Sequence, residues 1–266
     1  MSARNSFELQ DGDIALLDYA YQLRLATIDH FAALSGRSVR ALWGRLLKLK
    51  ERSYLLSVAR FMQKNVYAIG PLGVSALIEE GHAPADLAEK RLRHNEHTEI
   101  GIRHSLFVAD IHTRMLLQTR SGPINLAQWI EGKSLWDTVA DRDGETEIPI
   151  RPDGYFILKQ AGLPERQRKF HIFLEADRST MAHTRMAAKI TGYLAYYEWR
   201  RHIKKYPGMH SFIVATVTQT RSRAEELRKD LHPLIPRAAR EAYLFIPFED
   251  LTITSLLPKG APLPLL

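Results

Sequence analysis

Residues 27–50 read TIDHFAALSGRSVRALWGRLLKLK, and this stretch decides the fold of the first part of the chain. Thr27 suits the N-cap of a short helix over 28–34, and Ser38 suits the N-cap of a second helix. Gly36, between them, can take the positive φ that a tight interhelical turn needs. The apolar residues of the second helix recur every three or four positions and therefore share one face: Val39, Leu42, Leu46 and Leu49. The stretch predicts a helix-turn-helix.

The segments on either side extend this pattern to a winged helix-turn-helix. An apolar helix over 14–25 precedes it, and strand-like runs at 54–58 and 65–69 follow it, before a helix that begins near Pro71. The second helix and the hairpin carry the residues that we expect to contact duplex DNA: Arg37, Ser38, Arg40, Arg45, Lys48, Arg60 and Lys64. A helical bundle with a solvated polar face, or a winged helix that binds protein, would show a similar pattern.

Composition agrees with a polyanionic partner. The 266 residues include 37 Lys and Arg against 30 Asp and Glu, which gives a formal net charge of +7. Such a charge favours nucleic acid, because each neutralised phosphate releases counterions. The chain contains no cysteine, which excludes disulfides and thiolate chemistry. Because no uninterrupted apolar run approaches the roughly 18 residues of a membrane span, we expect a cytoplasmic protein without membrane contact.

The second part of the chain has a different pattern of predicted secondary structure. A polar stretch at 82–96 predicts a boundary, with one domain over 1–90 and another over 98–266. Helical and strand-like segments then alternate, which is typical of an α/β or α+β fold. We expect helices from 99, over 181–204 and over 221–231, strands within 125–130, 148–158, 170–177, 210–218 and 242–247, and a charged loop over 137–147.

Carboxylates stand at the ends of two of these strands. Asp153 lies in the run at 148–158. Glu175 and Asp177 end the run FHIFLEAD at 170–177, where the alternation of a strand puts both side chains on one face. Carboxylate oxygens on neighbouring strands suit Mg²⁺ or Mn²⁺, which can activate phosphodiester cleavage. The alternative is a structural ion-pair cluster with nearby basic side chains, of which Arg178, Arg185 and Lys189 are candidates.

Three segments together resemble the replication-relaxation family of mobile genetic elements: RPDGYF at 151–156, FLEADRST at 173–180 and KITGYLAYY at 189–197. The run YAIGPLG at 67–73 and the run HSLFVAD at 104–110 also match, so that the resemblance extends over about 12–220. That family includes atypical plasmid mobilisation relaxases. The resemblance implies a PD-(D/E)xK restriction-endonuclease-like domain after the winged helix, with Asp153 and Glu175 as metal ligands and Asp177 as a second acidic group.

One position departs from the nuclease pattern, which has Lys two residues after the Glu, where this chain has Asp177. In variant members the lysine comes from the following helix, which makes Lys189 the candidate catalytic lysine and Arg185 an alternative. If neither residue reaches the metal, the domain would only hold DNA. Tyrosines at 193, 196 and 197 offer a covalent route, although helix packing is their more ordinary role.

The sequence therefore leaves two main hypotheses. The first is a metal-dependent, site-specific DNA nickase that acts on an origin of transfer or replication in plasmid mobilisation, with accessory mobilisation proteins as candidate partners. The second is a non-catalytic DNA-binding regulator of transcription or plasmid replication with a degenerate nuclease fold. An assembly protein, whose winged helix binds another protein, is a third interpretation.

Overall fold

The computed structural model describes residues 7–86, 99–141, 143–162, 164, 169–179 and 182–258. The contacts within the chain divide it into two units, residues 1–113 and 114–266. This division falls inside a long helix, α5 (Glu99–Gln118). The boundary that the sequence suggests, between 90 and 98, lies outside the described residues.

The first unit begins with three helices whose caps match the sequence pattern. They are α1 (Asp11–Leu23), α2 (Ile28–Ser35) and α3 (Val39–Glu51). Thr27 is the N-cap of α2, and the Ser38 side chain accepts a hydrogen bond from the Ala41 amide at 3.2 Å at the start of α3. Gly36 has a φ of 68° and ends α2, as the predicted turn requires. The two short helices and the turn between them are thus present where the sequence predicts them.

An antiparallel hairpin and a further helix complete this unit: β1 (Leu55–Phe61), β2 (Lys64–Ile69) and α4 (Pro71–Glu79). At the hairpin tip, Met62 and Gln63 both have positive φ, which gives a tight turn that matches the strand twist. Gly70 allows α4 to begin against the preceding turn, because a Cβ there would lie 2.2 Å from the Ser53 carbonyl oxygen. Ile102 and Leu106 of α5 pack on β2.

The second unit is built around a mixed sheet. Its strands are β3 (Ile124–Ile130), β6 (Gly154–Gln160), β7 (Lys169–Asp177), β8 (Ile213–Thr218) and β9 (Tyr243–Pro247). Within the described residues the order is β3-β6-β7-β8-β9; β3, β6 and β7 run antiparallel, and β7, β8 and β9 run parallel. Two helices, α6 (His183–Glu198) and α8 (Arg221–Leu231), connect the parallel strands. The chain therefore has a mixed α/β architecture.

Two sequence expectations for this unit were wrong in detail. The charged stretch 137–147 contains a strand, β4 (Asp137–Ala140), which pairs antiparallel with β5 (Glu147–Ile150). The single helix expected over 181–204 is interrupted, because Arg200 adopts a left-handed conformation with φ of 53° between α6 and α7 (Arg201–Lys205). No helix among the described residues is long and apolar enough to cross a membrane.

Candidate active site and DNA-binding surface

Asp153 and Glu175 lie close together, Asp153 just before β6 and Glu175 near the end of its partner strand β7. Asp153 immediately precedes β6, and its amide donates a hydrogen bond to the Leu174 carbonyl oxygen at 3.0 Å. Its carboxylate accepts a hydrogen bond from the Ala176 amide at 2.8 Å. These two bonds fix the Asp153 carboxylate against the end of β7. The structure therefore brings together the two carboxylates that the sequence proposed as metal ligands.

Two side chains of α6 reach the Glu175 carboxylate. Lys189 forms an ion pair with one oxygen, and the Tyr193 hydroxyl donates a hydrogen bond to the other at 2.6 Å. Residues four apart share one helix face, so α6 presents both groups to the strand. Glu175 is only 2% exposed, whereas Asp153 is half-buried. Lys189, on the helix that follows β7, therefore contacts the Glu175 carboxylate, and its predicted catalytic role stays a prediction.

Electrostatics couple these groups. Burial raises the pKa of Glu175 to about 7, and the nearby Asp153 carboxylate adds to this effect, while Lys189 and Tyr193 oppose it. Burial alone would lower the pKa of Lys189, but the charges of Glu175 and Asp153 outweigh burial and raise it. Lys189 consequently stays protonated. A buried carboxylate with a raised pKa beside a second carboxylate is typical of functional sites.

Asp177, two residues further along β7, has a different environment. Its carboxylate accepts hydrogen bonds from Arg223 Nε at 2.7 Å and from the Ser179 amide at 3.0 Å. It is 1% exposed. Arg223 in turn contacts His183 at the start of α6, and His183 pairs with Asp230 at 2.6 Å. The structure thus gives Asp177 a structural ion pair with α8, which the sequence analysis did not identify; its predicted catalytic role stays a prediction.

The tyrosines of α6 differ in accessibility. Tyr193 and Tyr196 are each 1% exposed, and the Tyr196 hydroxyl donates a hydrogen bond to Asp137 at 3.0 Å. Burial raises the pKa of Tyr193, and the negative charge of Glu175 raises it further. Tyr197 is 52% exposed, and its ring stacks on His202 with centroids 5.1 Å apart. The two buried hydroxyls serve as hydrogen-bond donors within the unit, which agrees with a packing role.

The donor set at Asp153 and Glu175 suits a hard divalent cation. Mg²⁺ commonly keeps several waters and binds to one or two carboxylates together with a substrate phosphate. Across the described part of the chain, no group of three or more His, Cys, Asp or Glu side chains has the arrangement of a complete metal site. Two carboxylates therefore fit an ion only if water or phosphate oxygens supply the remaining ligands.

Most of the DNA-binding residues predicted in α3 and just before it are exposed. Arg37, Ser38, Arg40 and Lys48 are exposed. Arg45 differs, because its guanidinium binds the carboxylate of Asp13, which is 2% exposed, and donates a hydrogen bond to the Glu8 carbonyl oxygen at 3.0 Å. This contact joins α3 to α1, so Arg45 holds two helices together, a role that the sequence analysis missed.

The hairpin supplies further cations. Arg60 is exposed and donates a hydrogen bond to the Gln63 carbonyl oxygen at 3.2 Å across the turn. Lys64 forms an exposed ion pair with Asp29 at 2.5 Å. Exposed pairs of this kind are weak, so the Lys64 ammonium can exchange its carboxylate partner for a phosphate at little cost.

Comparison with known families assigns the chain to a class. The family model described as replication-relaxation matches residues 17–211, which is more than half of the chain. The chain therefore belongs to the replication-relaxation family. This membership links it to DNA and to plasmid replication or mobilisation. No curated protein and no solved structure gave a match.

Proposed function

We propose that this chain is a site-specific DNA nickase that depends on Mg²⁺ or Mn²⁺ and acts in plasmid mobilisation or replication. The first unit is a winged helix-turn-helix that selects a site on duplex DNA, and the second is a restriction-endonuclease-like domain that cleaves. The observation that carries the proposal is the convergence of Asp153, Glu175 and Lys189 where β7 ends beside the start of β6. The antiparallel strands β3, β6 and β7, followed by α6 and the parallel strand β8, are compatible with a PD-(D/E)xK core.

Each residue of this cluster has a distinct role in the proposal. Asp153 and Glu175 would hold the ion, which when bound polarises the phosphodiester and activates the attacking oxygen. Lys189 remains protonated and places a positive charge beside these carboxylates, where a scissile phosphate would lie. Arg185, exposed one turn earlier on α6, is available to a phosphate of the DNA backbone. The burial of Tyr193 and Tyr196 argues against these two hydroxyls as the nucleophile.

A non-catalytic DNA-binding regulator is the second candidate, and one observation favours it. Both oxygens of Glu175 already have protein partners, and the side chain is almost fully buried. A buried carboxylate paired in this way would also serve as a structural element. In that case the second unit would be a scaffold, and the chain would bind its origin without cleaving it.

A nicking assay separates these two functions. Supercoiled plasmid that carries the cognate origin is incubated with protein and Mg²⁺ or Mn²⁺, and open circles are counted on a gel. We expect the parent and Glu249→Ala, a control at a carboxylate that is 61% exposed, to nick. We expect Asp153→Ala and Glu175→Ala to be inactive. Specific binding without nicking in either metal would overturn the nickase and support the regulator.

The DNA-binding role of the first unit has its own test. Arg40→Ala removes an exposed cation, so we expect weaker binding to duplex DNA and a shallower dependence of affinity on salt, by roughly one unit of slope. Arg45→Ala instead breaks the pair with Asp13, and its main effect should be a lower melting temperature. If Arg40→Ala binds DNA with the affinity and salt slope of the parent, α3 is not the DNA-binding helix.

A further inference from the structure

Trp136 forms an exposed aromatic site that the proposed cleavage chemistry does not use. The side chain lies between a 3-10 turn (Lys133–Leu135) and β4, and it is 44% exposed. The Arg151 guanidinium lies 4.9 Å from the centre of its ring, and the Lys133 ammonium lies 5.7 Å from it. An indole ring with cations around it and a large exposed area offers both stacking and charge to a nucleotide.

The backbone around Trp136 is held in place from several directions. Leu135, the residue before Trp136, is 2% exposed and belongs to the core of the second unit. The Trp136 carbonyl oxygen accepts a hydrogen bond from Lys205 Nζ at 2.5 Å. On the other side, Asp137 accepts hydrogen bonds from Tyr196 and from Arg201, each at 3.0 Å. The backbone that carries the ring is therefore fixed, which lowers the ordering entropy that a stacked ligand would cost.

The position of Trp136 connects it to the candidate active site. Asp137 pairs with Ile150 at the ends of the antiparallel strands β4 and β5. Trp136, just before Asp137, and Arg151, just after Ile150, therefore lie next to each other beyond this pair. Arg151 is separated from Asp153 by Pro152 alone. A strand of DNA whose phosphate reached Asp153 would therefore have its neighbouring nucleotides near the Trp136 ring.

We propose that Trp136, together with Arg151 and Lys133, stacks an unpaired base of single-stranded DNA beside the cleavage site. In duplex DNA the faces of the bases are covered by their neighbours, whereas an unpaired base can leave the stack and lie on an indole ring. The cations then neutralise adjacent phosphates. The inference rests on the proposed function in so far as the second unit acts on DNA, and it adds that the strand is locally unpaired there.

The test measures binding without cleavage. A fluorescently labelled oligothymidine is titrated with the full chain in EDTA, and the affinities of variants are compared by anisotropy. We expect Trp136→Ala to weaken binding by about 5- to 150-fold, the range that one stacked base supplies. Trp136→Phe should retain most of the affinity. Trp199→Ala, a control at a tryptophan that is 49% exposed in the same unit, should bind like the parent.

The matched duplex and a folding check complete this experiment. We expect Trp136→Ala to bind duplex oligonucleotide like the parent and to melt at a similar temperature, since the side chain is exposed. Unchanged oligothymidine binding by Trp136→Ala, or an equal loss for duplex, would overturn the inference. This binding assay involves neither metal nor cleavage, so its result does not depend on whether the chain nicks DNA. If the chain nicks DNA but Trp136→Ala binds oligothymidine like the parent, only the stacking role is overturned.

Discussion

Glu175 and Asp177 stand two residues apart on β7, are both almost fully buried and are both paired with a cation, yet their surroundings differ. Glu175 faces a second carboxylate, Asp153, and binds Lys189 from α6. Asp177 binds Arg223 from α8 and accepts a hydrogen bond from the Ser179 amide. Burial and pairing alone therefore do not distinguish the carboxylate that we propose as a metal ligand from one that we expect to be structural.

The two sites differ in how strongly an added cation would stabilise them. Two carboxylates close together repel each other, and a divalent cation would relieve that repulsion. Arg223 instead matches Asp177 with a guanidinium that stays charged under all ordinary conditions, so the pair is already neutral. We therefore expect Glu175 to matter for cleavage and Asp177 to matter for stability.

The largest expected effect concerns cleavage. Glu175→Gln keeps the size and one hydrogen-bond acceptor of the side chain but removes its charge, so nicking should fall at least about a hundredfold, as losses around metal sites commonly do. Asp177→Asn should nick at nearly the parental rate per folded molecule. Equal losses in the two variants, measured by the plasmid assay, would remove the distinction between these carboxylates.

The next effect concerns the free energy of unfolding, measured by urea denaturation. Asp177→Asn leaves the Arg223 charge buried without its carboxylate, and we expect a destabilisation of about 3 kcal/mol. Lys189→Met should cost less, because Glu175, whose pKa is already about 7, can become neutral by taking up a proton. A greater loss for Lys189→Met than for Asp177→Asn would contradict this order.

The smallest effect is a dependence of stability on pH. The pKa of Glu175 rises from 4.5 to about 7 in the folded chain, so between these values the folded state binds more protons than the unfolded state. Stability that this group contributes below pH 4.5 is therefore lost as the pH rises through 7. The free energy of unfolding of the parent, relative to Glu175→Gln, should fall over that window. A constant or rising difference would show that folding does not raise the pKa of Glu175.

The sequence predicted those features that depend on neighbouring residues. Thr27, Gly36 and Ser38 act within a few positions of their place in the chain, so α2 and α3 begin and end close to the expected residues. Asp153, Glu175 and Lys189 were suggested by short motifs and by the resemblance. The register of β6 and β7 then brought the two carboxylates together, as expected for adjacent strands.

Features that depend on distant pairing were not visible in the sequence. Arg223 reaches Asp177 across 46 positions, and Arg45 reaches Asp13 across 32. The sequence predicted a DNA contact for Arg45 and did not single out Arg223. The strand β4 was mistaken for a charged loop, because the contacts of Asp137 with Tyr196 and Arg201 come from residues about 60 positions later.

The most direct test of the central claim is the binding of Mn²⁺ to the full chain, measured by isothermal titration calorimetry for the parent, Glu175→Gln and Asp177→Asn. The proposed ligands are Asp153 and Glu175, and Asp177 pairs with Arg223 instead. We therefore expect the parent and Asp177→Asn to bind an ion with similar affinity. Glu175→Gln should bind it at least about tenfold more weakly. Equal affinity in the parent and Glu175→Gln, or no binding by the parent, would contradict a metal-dependent site at these carboxylates.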